Sequence, residues 1–310
     1  AKFLALIEQT YARGVQDTTA QELSALARPH ATAPGAYYSY ARDSDDRRHA
    51  RAGAAARTRV NERLQIEGVV DYNWWKKDRA GDEDGLRYGA GGRWYFRPQY
   101  WVDGRLYRMD YRHESLNPFW GGFVRLRMPN PLVNGDVTME ASRDEIGTAE
   151  AIRAALEQWH YALRTYSRIW NDADLFVNGA LTDRDDGNQT WTVDGKLVWR
   201  VNAWPFVSFG PYVRVADSDR TSPAYYAPED LQQYQMFGAI RGGYRRLNYS
   251  GSVQGGVGRE QSYDWQFIWS GRLLAELDLG KNATPFGEFK YQEAPAYDRY
   301  QVTGGVNFEF

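Results

Sequence analysis

Side chains able to do acid–base or ligand chemistry are plentiful, but their spacing is not that of a catalytic site. The four histidines, His30, His49, His113 and His160, stand far apart, and there is no H-E-x-x-H pair and no Cys. Thiol catalysis, thiolate metal sites and a disulfide framework are thereby excluded. No G-x-S-x-G, Walker or dinucleotide fingerprint occurs. A rim-sited hydrolase could draw on His160 beside Asp144 or Glu145, yet a lone His among strand residues is usually structural. The expectation is a protein that is not an enzyme and holds neither cofactor nor metal.

Composition narrows the class. The 310 residues carry 38 basic and 40 acidic side chains, a formal net charge of −2. Such a balance argues against binding a polyanion through bulk charge, so nucleic acid is not an expected partner. With a mean hydropathy of −0.67 and no run approaching the roughly 18 apolar residues of a membrane helix, hydropathy alone would place the chain in water. Aromatic content of 15 %, with 12 Trp and 22 Tyr, fits poorly with that placement. A soluble core of this size normally leans on aliphatic residues instead.

The pattern resolves the conflict. Residues 1–28 read as two short helices: Leu4, Ile7 and Tyr11 share one face, Thr19 and Glu22 have capping-box spacing, and Leu23, Leu26 and Ala27 form a second stripe. This spacing keeps part of the tetratricopeptide pattern, and an ordinary helical hairpin explains it equally well. A Pro and Ala stretch from Pro29 to Pro34 follows as a linker. From about residue 36 the period becomes two. Tyr263, Trp265, Phe267, Trp269, Gly271, Leu273 and Ala275 alternate with Asp264, Gln266, Ile268, Ser270, Arg272, Leu274 and Glu276, and segments around 64–74 and 190–201 behave alike. These are half-buried antiparallel strands, about sixteen in all and about 10–15 residues long, longer than sandwich strands and long enough to cross a bilayer at a tilt. Tight turns alternate with longer acidic loops, expected at 77–84, 144–156, 183–188 and 217–232. The expected fold is all-β, a transmembrane antiparallel β-barrel of about sixteen strands over 35–310, preceded by a helical hairpin and linker over 1–34. Taking residues 1–34 as periplasmic puts Trp74, Trp120, Trp159, Trp191 and Trp265 in an outer aromatic girdle and Trp94, Trp199 and Phe308 in an inner one. A soluble sandwich or propeller gives no reason for aromatics to gather at strand ends. The expected location is the bacterial outer membrane, with outer-membrane lipid as the surrounding partner.

The final stretch, Tyr300, Val302, Gly304, Val306, Phe308 and Phe310, alternates to a terminal Phe and resembles the C-terminal strand signal read by the barrel assembly machinery. A tetratricopeptide-like remnant, a linker and about sixteen strands resemble the barrel portion of the exopolysaccharide-exporting porins that carry poly-N-acetylglucosamine, Pel or cellulose. The segment Ser222-Pro223-Ala224-Tyr225-Tyr226-Ala227-Pro228-Glu229 is similar to that family's aromatic-Pro loop, and Asp185-Asp186-Gly187-Asn188 to its hairpin style. The resemblance implies a passive conduit whose partners are an exopolysaccharide and a periplasmic scaffold, lipoprotein or polymer-modifying enzyme. A general diffusion porin and a barrel enzyme stay open as alternatives.

Parity assigns a path. Glu67, Asp71, Asp103, Asp136, Glu140, Asp194, Asp264 and Glu276 fall on the polar face with Arg93, Arg105, Arg125, Arg127 and Tyr212, giving a mixed lumen with a basic sector on the early strands. Acidic exit loops are expected from Asp82, Glu83 and Asp84, from Asp183, Asp185 and Asp186, and from Asp217 and Asp219. They would favour a cationic, partly deacetylated amino-sugar polymer through weak, screened attraction, or they simply keep the loops soluble. Asp144, Glu145, Tyr225 and Tyr226 mark candidate gating loops. Polar-face aromatics such as Trp75, Tyr107, Phe119 and Phe237 are candidates for stacking on sugar rings or for supporting inward-folded loops.

Overall fold

Alternation at every second residue lets one face of an extended chain meet hydrocarbon while the other meets water. The computed structural model describes residues 32–77, 81–97, 99–113, 116–131, 133–261, 263–280 and 283–308, and the alternation appears there as sixteen strands. Eight run from the rim where the described chain begins towards the other: β1 (Thr32–Asp43), β3 (Leu64–Lys77), β5 (Tyr100–Tyr111), β7 (Gly135–Glu145), β9 (Ala173–Arg184), β11 (Phe206–Ser218), β13 (Leu247–Glu260) and β15 (Ala283–Ala294). Eight return: β2 (Arg47–Arg59), β4 (Gly81–Arg97), β6 (Phe119–Pro129), β8 (Glu157–Trp170), β10 (Gln189–Ala203), β12 (Leu231–Tyr244), β14 (Tyr263–Leu277) and β16 (Tyr297–Phe308). Each strand pairs antiparallel with its sequence neighbours, and β1 pairs with β16 from Gly35↔Asn307 to Asp43↔Arg299, closing the barrel. Closure leaves no edge, which lipid demands because it cannot satisfy an unpaired backbone ladder. No helix among the described residues is long and apolar enough to cross a membrane.

The outward positions are apolar and exposed. Ile66, Val70, Leu106, Val124, Leu163, Val193, Met236 and Leu273 form the band, with Trp120, Trp159, Trp191 and Trp265 towards one rim and Trp94 and Phe308 towards the other. In water this would be an aggregating surface. As a band between aromatic girdles it is the lipid contact of an outer-membrane barrel.

The strands depart from the sequence expectation at their ends. β1 begins at Thr32 and so takes in part of the expected linker; its first residues pair with β2 (Thr32↔Thr58, Pro34↔Ala56), while pairing with β16 starts only at Gly35. Proline is tolerated where the ladder is one-sided. β4 begins at Gly81, so Asp82, Glu83 and Asp84 are ladder residues opposite Lys76, Trp75 and Trp74 rather than a loop. Asp183 and Asp217 likewise lie within β9 and β11. Above the membrane both faces are wet, and alternation no longer marks where pairing stops. The expected hairpin of 1–28 and the terminal Phe310 lie outside the described residues.

Candidate functional site: the lumen and its outer cap

Register decides what lines the lumen. On the β2–β7 wall, carboxylates and guanidiniums of neighbouring strands are placed opposite one another. Asp71, only 1 % exposed, accepts from Arg51 through Nε and Nη2, both at 2.9 Å, and lies 3.2 Å from Arg87 Nε. Asp103 is held between Arg93 Nη2 at 2.8 Å and Arg125 Nη2 at 2.9 Å, and both guanidiniums lie over the Trp101 ring, at 4.2 and 5.5 Å. Glu67 joins Arg105 and Arg57, Arg127 meets Asp136 at 2.8 Å, and Glu140 meets Arg164 at 3.3 Å. The expected basic sector is therefore interleaved with acids: Arg87 and Arg93 stand directly opposite Asp71 and Asp103, while Arg105 reaches Glu67 two strands away and Arg127 reaches Asp136 on a diagonal. Such a wall is polar but largely self-neutralised.

The β11–β16 wall and β1 differ. Gln233, Gln235, Ser252, Gln254, Ser270, Gln292, Gln301, Thr303 and Ser39 share the lumenal face by register. Tyr212 begins this sector on β11, opposite Gln235. Asp194 on β10 accepts from Asn178 Nδ2 at 2.8 Å, and the neighbouring Lys196 ammonium sits 4.9 Å from the Phe237 ring centre. Asp264 and Glu276 lie at opposite ends of β14, the first exposed and the second half-buried.

The mouth at the rim opposite the start of the described chain is covered from two sides. Between β7 and β8 a helical turn, α1 (Ala149–Arg153), forms where Thr148 caps an Ala-rich run by accepting from Ala151 N at 3.3 Å. Ala149 and Ile152 pack on the inward cluster of Trp75, Tyr107, Met109 and Phe119, while Ile146 and Ala151 pack on Tyr225 and Ala227 of the β11–β12 loop. Gly121 makes room for this arrangement, since a Cβ there would collide with the Tyr107 ring. Polar contacts fasten the cap: Lys77 Nζ to Glu150 at 2.6 Å, Arg153 to Glu83, and Thr148 Oγ1 to Ala224 O at 2.6 Å. Arg47 Nη2 donates to Pro223 O at 2.9 Å. Arg47 opens β2 and Pro223 precedes β12, six strands apart by the shorter way round a closed ring of sixteen, so the loop reaches across the mouth.

Of the four gating candidates, Tyr225 and Tyr226 are both structural anchors of that loop. Tyr225 OH donates to Asp186 Oδ2 at 2.6 Å and accepts from Asn188 Nδ2 at 3.1 Å, with the Arg184 guanidinium 4.5 Å over its ring. Burial, then the bond to Asp186, pushes the Tyr225 phenol above its usual range, so it stays a donor. Tyr226 donates to Glu260 Oε2 at 3.0 Å and stacks on Tyr297 at 4.6 Å. Asp144 and Glu145 both take the Tyr107 hydroxyl, at 3.0 Å for Glu145. His160 does not join them: its Nδ1 lies 3.0 Å from Thr182 Oγ1. His49 stacks on Trp75 at 5.2 Å.

Most of the acidic rim is engaged. Asp82 lies 3.9 Å from Lys76 Nζ, and Tyr72 donates to Asp84. Asp183 accepts from Gln189 Nε2 at 3.3 Å, Asp217 from Asp230 N at 3.0 Å, and Asp219 from Gln189 N at 3.1 Å. Asp185 is exposed; partial desolvation at the loop, then the neighbouring Glu157, raise its carboxyl above the usual range. Sequence reading missed α1, Arg47, Lys77 and Glu150. Thr148 before Ala149-Glu150-Ala151-Ile152 was a legible helix start; the pairing of Arg47 with a loop across the barrel was not. The Gln and Ser sector was legible by parity and passed over because it carries no charge.

No family model and no curated protein matches the chain. Among solved structures, a bacterial polysaccharide outer membrane secretin superposes with a TM-score of 0.69 at 13 % identity, covering 90 % of this chain and 98 % of that one. Pseudomonas aeruginosa OccK7 (OpdD) superposes with a TM-score of 0.51 at 8 % identity, over 91 % of this chain and 98 % of that one. At such identities the likeness is one of fold: a sixteen-strand outer-membrane barrel.

Proposed function

We propose that this barrel is an outer-membrane conduit for a secreted exopolysaccharide, acting passively, with polymer synthesis and modification done by partners in the periplasm or beyond. The observation that carries this reading is the lumen wall: polar along each strand, with charges paired off on one side and amide and hydroxyl groups on the other. A polymer must slide past many weak contacts, and a wall of strong unpaired charges would hold it. The likeness in fold to a polysaccharide secretin supports the same reading. The cap that bridges the mouth favours a gated conduit over a general diffusion porin, whose pore stays open to small solutes.

Two finer points belong to the same proposal. The rim carboxylates Asp82, Asp185 and Asp219 are exposed and favour a cationic, partly deacetylated amino-sugar polymer of the Pel or poly-N-acetylglucosamine kind; a cellulose exporter is the alternative. A periplasmic scaffold or polymer-modifying enzyme is the expected partner, and the barrel assembly machinery the expected folding aid. The test is a strain lacking this chain: surface polymer is lost and polymer accumulates in the periplasm, and returning the chain restores export. Unchanged surface polymer would overturn the conduit reading. Asp82→Asn with Asp185→Asn should lower export of a cationic polymer several-fold; no change would remove the charge preference and leave the conduit standing.

A further inference from the structure

Within the neutral sector one part of the lumen wall is concave. A cavity of about 330 Å³ lies on five consecutive strands, β11 to β15. Its floor is built of amides and hydroxyls: Gln233 and Gln235, Ser252 and Gln254, Ser270 and Gln292. Tyr212 closes one side. The same face of the β2–β7 wall carries ion pairs along its length, whereas here amides and hydroxyls make the floor and the charged side chains stand at its border.

The chemistry of the lining limits what fits. A primary amide donates and accepts at once, and a hydroxyl does the same, so this floor complements groups that also do both. Sugar hydroxyls and an acetamido group are such groups. Gln254 Oε1 is buried without a hydrogen-bond partner, so turning this amide toward the cavity to accept an N–H or O–H gives up no existing bond of that oxygen. A phenol ring at the side offers an apolar face to the C–H face of a sugar ring. Charge excludes the alternatives. Arg214, Arg272 and Lys290 border the cavity, with Glu293 the one carboxylate of its lining. Glu288 binds both Arg272 and Lys290, the latter at 2.8 Å, and Arg214 stands opposite Asp194 in the ladder. A free ammonium on the ligand would therefore face three cations and one carboxylate in the lining.

We infer that this cavity is a saccharide subsite on the conduit wall that takes uncharged sugar units bearing hydroxyl or acetamido groups. The inference rests on the conduit reading and adds to it. A partly deacetylated polymer presents both kinds of unit: its acetylated units pass over this floor, and its amines meet the acidic rim. One sugar ring fills a cavity of this size, so the subsite grips one unit at a time as the chain moves.

The test is calorimetric titration of the full-length barrel in detergent with three hexasaccharides: N-acetylglucosamine hexamer, its fully deacetylated counterpart, and cellohexaose. The acetylated hexamer should bind, cellohexaose more weakly, and the deacetylated hexamer weakest of the three at this site. Gln235→Leu with Gln254→Leu should weaken the acetylated hexamer by about 5- to 150-fold, two hydrogen bonds at about 0.5–1.5 kcal/mol each. Ser252→Ala with Ser270→Ala, a smaller change in volume, should weaken it by a smaller factor. Gln301→Leu, on the lumen wall outside the cavity, should leave binding unchanged. Equal affinity in the parent and both cavity variants overturns the subsite, as does tighter, glutamine-dependent binding of the deacetylated hexamer. Loss of the subsite leaves export dependent on the barrel, whereas failure of the conduit reading shows as export that does not need the chain.

Discussion

The cap is held mainly by apolar contact, which makes Ile152→Ala the most informative perturbation. Ile152 is 3 % exposed and wedged among Trp75, Tyr107, Met109 and Phe119. Truncating a buried Ile to Ala costs about 2–5 kcal/mol. The polar ties are weaker: Lys77 and Glu150 are 27 % and 20 % exposed, and a pair this wet is worth about 1 kcal/mol or less. The two bonds of the Tyr225 hydroxyl add about 0.5–1.5 kcal/mol each. The wedge therefore outweighs any single tie. Ile152 itself lies outside the strand ladder, so the loss falls on cap closure rather than on strand pairing. A shift of 2–5 kcal/mol changes the open-to-closed ratio by about thirtyfold to a few thousandfold. The assay is single-channel recording in planar bilayers: the parent should be predominantly closed, with Ile152→Ala open for much of the trace and Tyr225→Phe between them. Heat-modifiable gel mobility reports separately that the barrel is intact. An Ile152→Ala barrel that is intact yet as closed as the parent would refute the reasoning, and so would a parent with steady large conductance.

Three further outcomes follow from the same contacts. Asp71→Ala strands Arg51 and Arg87 without their shared carboxylate and should cost about 3–5 kcal/mol in urea unfolding, with Arg51→Ala on top recovering part of the loss; additive losses would contradict the pairing. Gly121→Ala drives a methyl into the Tyr107 ring and should cost about 1–3 kcal/mol while making residues 146–156 sensitive to protease in an otherwise intact barrel, and an unchanged digestion pattern would count against the packing. Leu163→Arg places a cation in the lipid band and should destabilise the barrel in lipid vesicles by about 2–4 kcal/mol, whereas Gln301→Arg on the lumen face should cost far less.

The architecture was readable from residue order because hydrocarbon imposes a strict period. Tyr263 to Ala275 alternate so regularly that β14 follows from residue types alone, and the inward parity of Glu67, Asp71, Asp103 and Arg125 followed with it. Period-two patterning says which face a residue takes, since side chains alternate whatever the partner strand is. It fails once both faces are wet, which is why Asp82 to Asp84 read as a loop and β1 began late. It also cannot state which lumenal charges meet, because Arg105 reaches Glu67 two strands away and only the relative stagger of strands permits that. The cap shows the limit most clearly. Arg47 and Pro223 stand 176 positions apart, and nothing in either segment names the other. Sequence alone determined a membrane barrel with a polar lumen and long loops on one rim; only ring closure, by bringing distant strands within reach across one opening, decided that those loops fold inward and cover it.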